Sequence, residues 1–485
     1  QIRCMLVSSD KLDKASEIVL KTDILEHVFS IDCSDEEAGQ FNWPPNTSFH
    51  QITLEDHVSS EPVDVNVISS EPAYIIFTSG TTGEPKGVQV SHRSVSNLID
   101  WGNREFKVSP QDKLLFVTSL CFDLSVYDIF GILAAGGTIR ITSETERSDP
   151  DAMIQILDDE KITFWDSAPA FMKQLFLAGK QNHVEQFSES LRLVFLSGDW
   201  IPLDLPKQII GRYPNADVIS LGGATEVTVW SNYYRVTHQE ARHRSIPYGR
   251  PIQNAKYYIL NQSMKPCAVN EPGELYIAGE CVAMGYAGDV TLTDQRFLGC
   301  PFDSRYRMYK TGDLARWRPD GQIEILGRID NQVKIRGYRI ELGEIESVLR
   351  QHESIADCAV SVQKNDDGDQ CVVAYVVLDD SDEKQFDKTE VMNFLAGFLP
   401  QYMLPSRLLL VSHIPLNTNG KVDQLQLKSH VIQDDQESAP QSPRTPVESK
   451  LYAIWSEANR ARVAVYNGNE ISPSCWYLSS FMNCR

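Results

Sequence analysis

The ten cysteines of this 485-residue chain include no CxxC pair, so the sequence offers neither the paired thiolates of a zinc site nor a dithiol redox motif. They lie scattered at Cys4, Cys33, Cys121, Cys267, Cys281, Cys300, Cys358, Cys371, Cys475 and Cys484. In a chain this long, that scatter reads as reduced thiols of a cytoplasmic protein rather than a disulfide framework. No apolar run approaches the length of a membrane span, and no signal peptide is visible. Cationic residues are in short supply: 45 Lys and Arg against 66 Asp and Glu leave a net charge of −21. That balance argues against nucleic acid or an anionic membrane as partner, and an anionic ligand would need a local cluster of donors. No internal repeat stands out. The chain opens on Gln1 rather than Met, so it is expected to begin inside a longer protein.

What is present is a soluble-globular composition, 42% hydrophobic and 23% charged, with room for two to four domains. The most informative stretch is Thr78-Ser79-Gly80-Thr81-Thr82-Gly83-Glu84-Pro85-Lys86-Gly87. It follows the apolar run Tyr74–Phe77, which reads as a short buried strand. Glycines let backbone N–H groups curl around an anion, hydroxyls add donors, and Lys86 adds a mobile positive charge. This is the chemistry of a polyphosphate-holding loop. It is not a Walker A loop, because Pro85 precedes the lysine and Gly87, rather than Ser or Thr, follows it.

Along the chain, residues 1–70 alternate apolar segments such as Met5-Leu6-Val7 with helical stretches such as Lys14 to Val28. From 71 to about 325, the short apolar runs Leu114–Val117, Thr138–Ile141, Ile162–Trp165, Leu193–Leu196 and Val218–Leu221 alternate with helix-length segments. That alternation predicts an α/β protein with largely parallel sheets. Trp317–Gln322 is a hairpin turn signal. A second, smaller unit begins near Asp330, with strand candidates at Val333–Ile335, Ala356–Val362 and Gln370–Val377 and a helix over Leu342–Arg350. After Asp423 the pattern stops, a polar Pro-containing linker follows, and 446–458 reads as an amphipathic helix.

Four further strings and a downstream lysine carry chemistry. Phe122-Asp123-Leu124-Ser125 sets a carboxylate in apolar surroundings, where it waits for a cation unless it merely caps a helix. Ser220-Leu221-Gly222-Gly223-Ala224-Thr225-Glu226 follows a strand; its small residues allow a flat or phosphorylated ligand close to the backbone, and Thr225 and Glu226 are hard oxygen ligands for magnesium. A capped strand-to-helix turn is the plainer reading. Tyr309-Lys310-Thr311-Gly312-Asp313-Leu314 places an Asp after a glycine turn at a strand end, suited to ribose hydroxyls, or forms an ordinary turn. Residues 327–341 alternate cations with Val and Ile, as a strand with one basic face would. Pro415 to Asp423 puts Lys421 on an Asn-Gly turn.

Taken together and in this order, these strings resemble the adenylate-forming superfamily of acyl-CoA synthetases and luciferases, specifically the adenylation domains of nonribosomal peptide synthetases. The resemblance spans roughly residues 70–425. It implies a large α/β domain with parallel-rich sheets and a small, mobile α+β C-terminal domain. It implies ATP-dependent activation of an amino acid as its adenylate, release of pyrophosphate, and transfer to the phosphopantetheine thiol of a carrier domain. By similarity, Thr78, Ser79, Gly80, Thr81, Thr82, Gly83 and Lys86 would hold the phosphates. Glu226, with Thr225 beside it, would bind magnesium. Gly222, Gly223 and Ala224 would line the adenine, and Asp313 with Arg328 the ribose. Lys421 would bridge the α-phosphate and the substrate carboxylate, and Asp330 would be the hinge. Gly337 would lie in the segment that faces the pantetheine tunnel after rotation.

By the same resemblance, Asp123 would pair with the substrate's α-ammonium, which points to an amino acid rather than an aryl or fatty acid. The remaining pocket positions are Leu124, Tyr127, Asp166, Phe195, Ser197, Leu221, Val229 and Trp230. This set looks most like pockets that activate cysteine, except that Asp166 and Phe195 stand where Asn and Leu are expected. Asp166 could instead select a polar or basic side chain. Gly222 replaces the tyrosine that usually stacks on adenine. The family has more residues before the phosphate loop than the 77 found here, so the large domain (1–329) is expected to be incomplete at its start. The small domain takes 330–428, a linker 429–445, and 446–485 begins like a peptidyl carrier domain without reaching its attachment serine. Condensation-type domains of a larger synthetase are implied partners. The rival readings are a stand-alone acyl- or aryl-acid ligase and a catalytically dead scaffold segment.

Overall fold

The computed structural model describes residues 3–22, 24–30, 32–33, 39–41, 43–52, 65–78, 85–178, 189–236, 246–329, 332–335, 337–364, 370–378, 386–415, 422, 424–427 and 431–433. The chain divides into two compact units, 1–67 and 68–485. The first contains a parallel sheet of Cys4–Val7, His27–Ser30 and Ser48–Gln51. Parallel neighbours need a crossover, and the helix Leu12–Leu20 supplies the first, burying Leu12, Ala15 and Val19 on one face. The helix expected over 14–28 therefore ends at Leu20: the β-branched and aromatic residues of His27–Ser30 go to a strand instead.

The second unit is built on a seven-stranded sheet. Five strands, Thr138–Ile141, Lys113–Phe116, Phe164–Ser167, Leu193–Leu196 and Asp217–Gly222, are successively parallel neighbours, and Asn232–Arg235 and Arg250–Pro251 add antiparallel strands at one edge. Alternate residues serve two cores. Leu114, Phe164, Phe195 and Ile219 pack on one face, and Leu115, Trp165, Val194 and Val218 on the other. Burial on both faces explains why these strands read as unbroken apolar runs. The Pro72–Thr78 strand differs from expectation. It lies at the edge of a sheet with Lys86–Ser91 and Gly285–Tyr286, and Phe77 is 66% exposed. The buried member is its neighbour, through Val88 and Val90.

A five-stranded antiparallel sheet follows, with the long strand Arg307–Trp317 at its centre. Asp313 lies inside this strand and not at its end. Gly312 takes φ +78, and the register shifts after Leu314, so a bulge rather than a terminal turn re-aims the chain. The basic stretch 327–341 is likewise not one strand: Ile323–Arg328 ends the sheet, and Gln332–Ile335 pairs with Tyr338–Glu341 in a separate hairpin. The C-terminal portion packs the helices Leu342–Leu349 and Lys388–Phe398 on a sheet of Ile355–Lys364, Gln370–Leu378, Arg407–Val411 and Val431–Gln433. The short helix Gln424–Leu427 and the last strand extend structure past Asp423. Among the described residues, no helix is long and apolar enough to cross a membrane. The expected helix over 446–458 and its linker lie outside the described residues.

Candidate active site

The carboxyl ends of Phe164–Ser167, Leu193–Leu196 and Asp217–Gly222 converge on one place, the usual ligand position of an open parallel sheet. Register assigns the faces. Asp166 is opposite Phe195, and Phe195 is opposite Ile219. With the period of two along a strand, Asp166, Phe195, Ser197 and Leu221 then share one face. Against that face lies the helical run Leu124 to Ala134, whose middle, Tyr127–Gly131, is wound as a π-turn. Insertions of this kind concentrate at functional sites. Leu124, Tyr127, Phe195, Leu221, Val229 and Trp230 are all buried in one cluster. The Tyr127 and Phe195 rings stand 5.0 and 5.3 Å from Trp230. The scattered pocket positions of the sequence are thus adjacent in space.

At the helix entry, the Asp123 side chain is hydrogen-bonded by Thr225 and feels the charges of Glu226 and Lys334. Burial pushes its carboxyl up first; the Thr225 hydroxyl and the Lys334 ammonium oppose, and Glu226 adds to the rise. Asp123 does not cap the helix, since no side-chain capping bond forms. Tyr74 Oη is buried nearby without a hydrogen-bond partner, its ionisation opposed by burial and then by Asp123. Glu226 is fully buried, and its Oε1 accepts from Tyr286 Oη at 2.9 Å. Tyr286 pairs with Val88 of the strand that begins at Lys86, and Lys86 Nζ lies 5.9 Å from the Tyr286 ring centroid. Thr78 is described, whereas Ser79, Gly80, Thr81, Thr82 and Gly83 lie outside the described residues.

The turn carrying Thr225 and Glu226 is strained. Thr228 and Val229 take φ of 60 and 63, a conformation costing about 1–3 kcal/mol at a β-branched residue. It is held by Thr228 Oγ1 donating to the Cys281 carbonyl at 2.7 Å and by Ser231 N–H donating to the Gly222 carbonyl at 2.9 Å. This folds Val229 and Trp230 back against Gly223, where any Cβ would overlap the Val229 carbonyl. Gly222 is equally constrained: a Cβ there would overlap the ring of Tyr248. Tyr248 is a site neighbour that sequence reading missed, because nothing in its local string marks it. Its ionisation is opposed by burial and then by Asp313, with Arg328 acting the other way. Asp313 and Arg328 form a cross-strand pair at 2.8 Å, and Arg328 also donates to the Thr311 carbonyl. The glycine cradle, Tyr248 and the Asp313–Arg328 pair are therefore contiguous.

The hairpin 332–341 docks on this region. Gly337 N–H donates to Asp199 Oδ2 at 3.0 Å, Tyr338 meets Phe122 edge-on at 5.2 Å, and Tyr338 stacks on Tyr402 at 4.1 Å. Lys334, whose charge acts on Asp123, comes from that hairpin. Asp330 and Lys421 lie outside the described residues. Among the described residues, no group of three His, Cys, Asp or Glu is placed to hold a metal ion. Glu226 with Thr225 is a one-carboxylate donor set. That fits a magnesium ion sharing its ligands with substrate phosphates and water, and not an all-protein cage.

Residues 344–421 match the AMP-binding enzyme C-terminal domain. The chain is 39% identical to Bacitracin synthase 1 of Bacillus licheniformis over 90% of its own length and 8% of that protein's. It is 38% identical to the Anguibactin system regulator of Vibrio anguillarum over 87% of its length and 40% of that protein's. The chain thus spans less than half of the curated relatives it matches. Among solved structures, the Vibrio cholerae adenylation domain AlmE, in complex with glycyl-adenosine-5'-phosphate, superposes with a TM-score of 0.74 at 27% identity, covering 87% of this chain and 79% of that one. With a match over residues 1–287, more than half its length, the chain belongs to the AMP-binding enzyme family.

Proposed function

We propose that this chain is the adenylation portion of a nonribosomal peptide synthetase. It activates an amino acid with ATP, releases pyrophosphate, and passes the aminoacyl group to the phosphopantetheine thiol of a carrier domain. The observation that carries this reading is the meeting of Asp123 with Thr225 and Glu226 beside a glycine cradle that continues into the Asp313–Arg328 pair. An ammonium-accepting carboxylate and a nucleotide cradle thereby share one corner.

In this reading, each residue does electrostatic and positioning work. The Asp123 carboxylate pairs with the substrate ammonium and so aims the substrate carboxylate at the nucleotide. The nucleotide base lies against Gly222, Gly223, Ala224 and the Tyr248 ring, which takes the place of the aromatic side chain absent at 222. Asp313, oriented by Arg328, accepts from the ribose hydroxyls. Glu226 would hold magnesium, which would supply charge neutralisation of the phosphates. Thr78 to Gly83 and Lys86 hold the β- and γ-phosphates, and Lys421 stabilises charge where carboxylate and α-phosphate meet. Cysteine is the proposed amino acid, from Leu124, Tyr127, Ser197, Leu221 and Trp230. Asp330 is the proposed hinge between a large domain ending at 329 and a small domain over 330–428. Cytoplasmic location, a carrier domain as partner, and condensation-type domains in the parent synthetase complete the proposal.

The test is amino-acid-dependent ATP–pyrophosphate exchange across the proteinogenic amino acids plus aryl and fatty acids. Exchange with one amino acid, cysteine first, is expected. Exchange driven only by an aryl or fatty acid would replace this reading with the stand-alone ligase. A folded chain that neither exchanges nor binds ATP would be the dead scaffold.

A further inference from the structure

Beneath the pocket lies a set of buried polar atoms that the rest of the fold leaves unpartnered. Asp166 Oδ1 and Oδ2, Asp128 Oδ1, Ser197 Oγ and Trp230 Nε1 are all buried, and none is hydrogen-bonded by a group outside this set. Each parent residue is 1% exposed. Buried polar groups in folded proteins are almost always satisfied, so Ser197 Oγ and Trp230 Nε1, with no partner even inside the set, mark a chamber that awaits a polar ligand group. Asp128 comes from the π-turn, where its other oxygen accepts from Thr118 Oγ1 at 2.5 Å. Asp166 comes from the facing strand, and the two carboxyls share a hydrogen bond.

From this juxtaposition we infer that Asp128 is a specificity-determining residue: by pairing with Asp166 it keeps that residue a neutral hydrogen-bonding group, so the pocket reads a neutral polar side chain and rejects a cationic one. The inference rests on the amino-acid-activating reading above and names the substrate class for that site. Asp128 is a positioning residue, acting through Asp166.

Three observations agree. Two carboxylates this close in an apolar enclosure cannot both ionise. Burial first, and then the Asp128 charge, push Asp166 well above the usual carboxylate range, while burial holds Asp128 up at about 7. Around Asp166, the acting charges are those of Asp128 and Asp123, both negative; Asp112 and Arg192 act on the adjacent Tyr127. Asp166 thus holds the proton at neutral pH and donates it to Asp128. A protonated Asp has the shape and the donor–acceptor character of Asn, which restores at position 166 the residue type expected there. Finally, the Trp230 indole N–H is a donor only. It requires an acceptor on the ligand, which a thiol, hydroxyl or amide provides and an ammonium or guanidinium does not.

The experiment measures binding of L-cysteine, L-serine, L-lysine and L-ornithine by calorimetry, with a non-hydrolysable ATP analogue present, to the full chain and to Asp128→Asn and Asp166→Asn. Infrared spectra of protein with isotope-labelled aspartate are recorded in parallel. The wild type should bind the neutral pair better and show a protonated-carboxyl band at neutral pH. Asp166→Asn should keep the neutral preference and lose the band. Asp128→Asn, which removes the Asp128 charge and gives Asp166 an amide donor, should weaken the band and shift the preference toward the cationic pair by about tenfold. The wild-type preference should drift the same way as pH rises through the raised value of Asp166, and Asp166→Asn should not drift. An unchanged ratio in Asp128→Asn, a band that survives both substitutions, equal weakening of all four ligands, or a wild type that prefers lysine or ornithine would each overturn the inference while leaving amino-acid activation intact. Failure of the wild type to bind any amino acid would overturn that underlying reading and this inference with it.

Discussion

Asp123 and Glu226 are two acids close enough to raise one another's energy, and each is stabilised by a different neighbour. Thr225 bonds Asp123 and Tyr286 bonds Glu226. Such an arrangement is costly until cations arrive, which suits a site that receives an ammonium on one carboxylate and a divalent ion on the other. Asp123→Ala is therefore expected to weaken amino-acid binding by about a hundredfold, the scale of a charged hydrogen bond and its desolvated partner, with ATP affinity within a few-fold of wild type. Paired titrations of the two ligands check this, and equal losses would remove Asp123 from the ammonium site. Because burial raises the Asp123 carboxyl and only its ionised form pairs with an ammonium, amino-acid affinity should fall as pH drops through that raised value, and Asp123→Asn should abolish the dependence. Tyr248→Ala, which removes the ring beside Gly222, should cost ATP affinity about tenfold, in line with one lost base stack. Lys421→Ala should eliminate exchange while sparing ATP binding, as expected of a group that acts at the transition state.

Among the elements, the parallel sheet is braced at one end by Asp112. Its carboxylate accepts from Thr163 Oγ1 at 2.9 Å, from Ser109 N–H at 2.9 Å and from Arg192 at 2.7 Å. It thereby ties the starts of three neighbouring strands at the end opposite the site. Burial opposes ionisation of Asp112, yet the Arg192 bond and the other donors win and hold the carboxyl low. A group depressed in this way adds stability above its unfolded value and loses it as pH falls through the folded one. Asp112→Ala strands Arg192 and should destabilise the chain by about 3 kcal/mol, read by urea denaturation at neutral pH, with a smaller difference in acid. The strands of this sheet were legible in the sequence because burial on both faces makes each an apolar run bounded by polar residues. The long strand around Asp313 and the edge strand at 72–78 were misjudged, since a bulge and an exposed edge leave no mark on local hydrophobicity. Pocket residues such as Asp123 and Trp230 could be listed through resemblance. Asp128 and Tyr248 could not, because their importance lies in what stands across from them: Asp166 on another strand, and the missing side chain of Gly222.

At the scale of the whole second unit, the docked hairpin is where the two half-reactions of the proposed activity would separate. Gln332–Ile335 and Tyr338–Glu341 are joined by a two-residue turn in which Gly337 takes φ +86. Its N–H reaches Asp199, and a Cβ there would press on the Ala168 methyl group at 2.8 Å. Any side chain at 337 thus meets both a backbone penalty, set by the hairpin's own turn, and a steric one, and the steric one applies only while the hairpin sits against Ala168. If this docked arrangement is the one that receives the pantetheine arm, and a rotated one forms the adenylate, then Gly337→Val should act on one half-reaction alone. Exchange of pyrophosphate into ATP should stay within about twofold of wild type, while aminoacyl loading of a carrier domain supplied in trans should fall by at least about tenfold, the effect of roughly 1.4 kcal/mol against the docked state. Equal loss of both activities would mean that the hairpin contact serves adenylation as well. Undiminished loading would mean that the docking of Gly337 on Asp199 has no part in transfer.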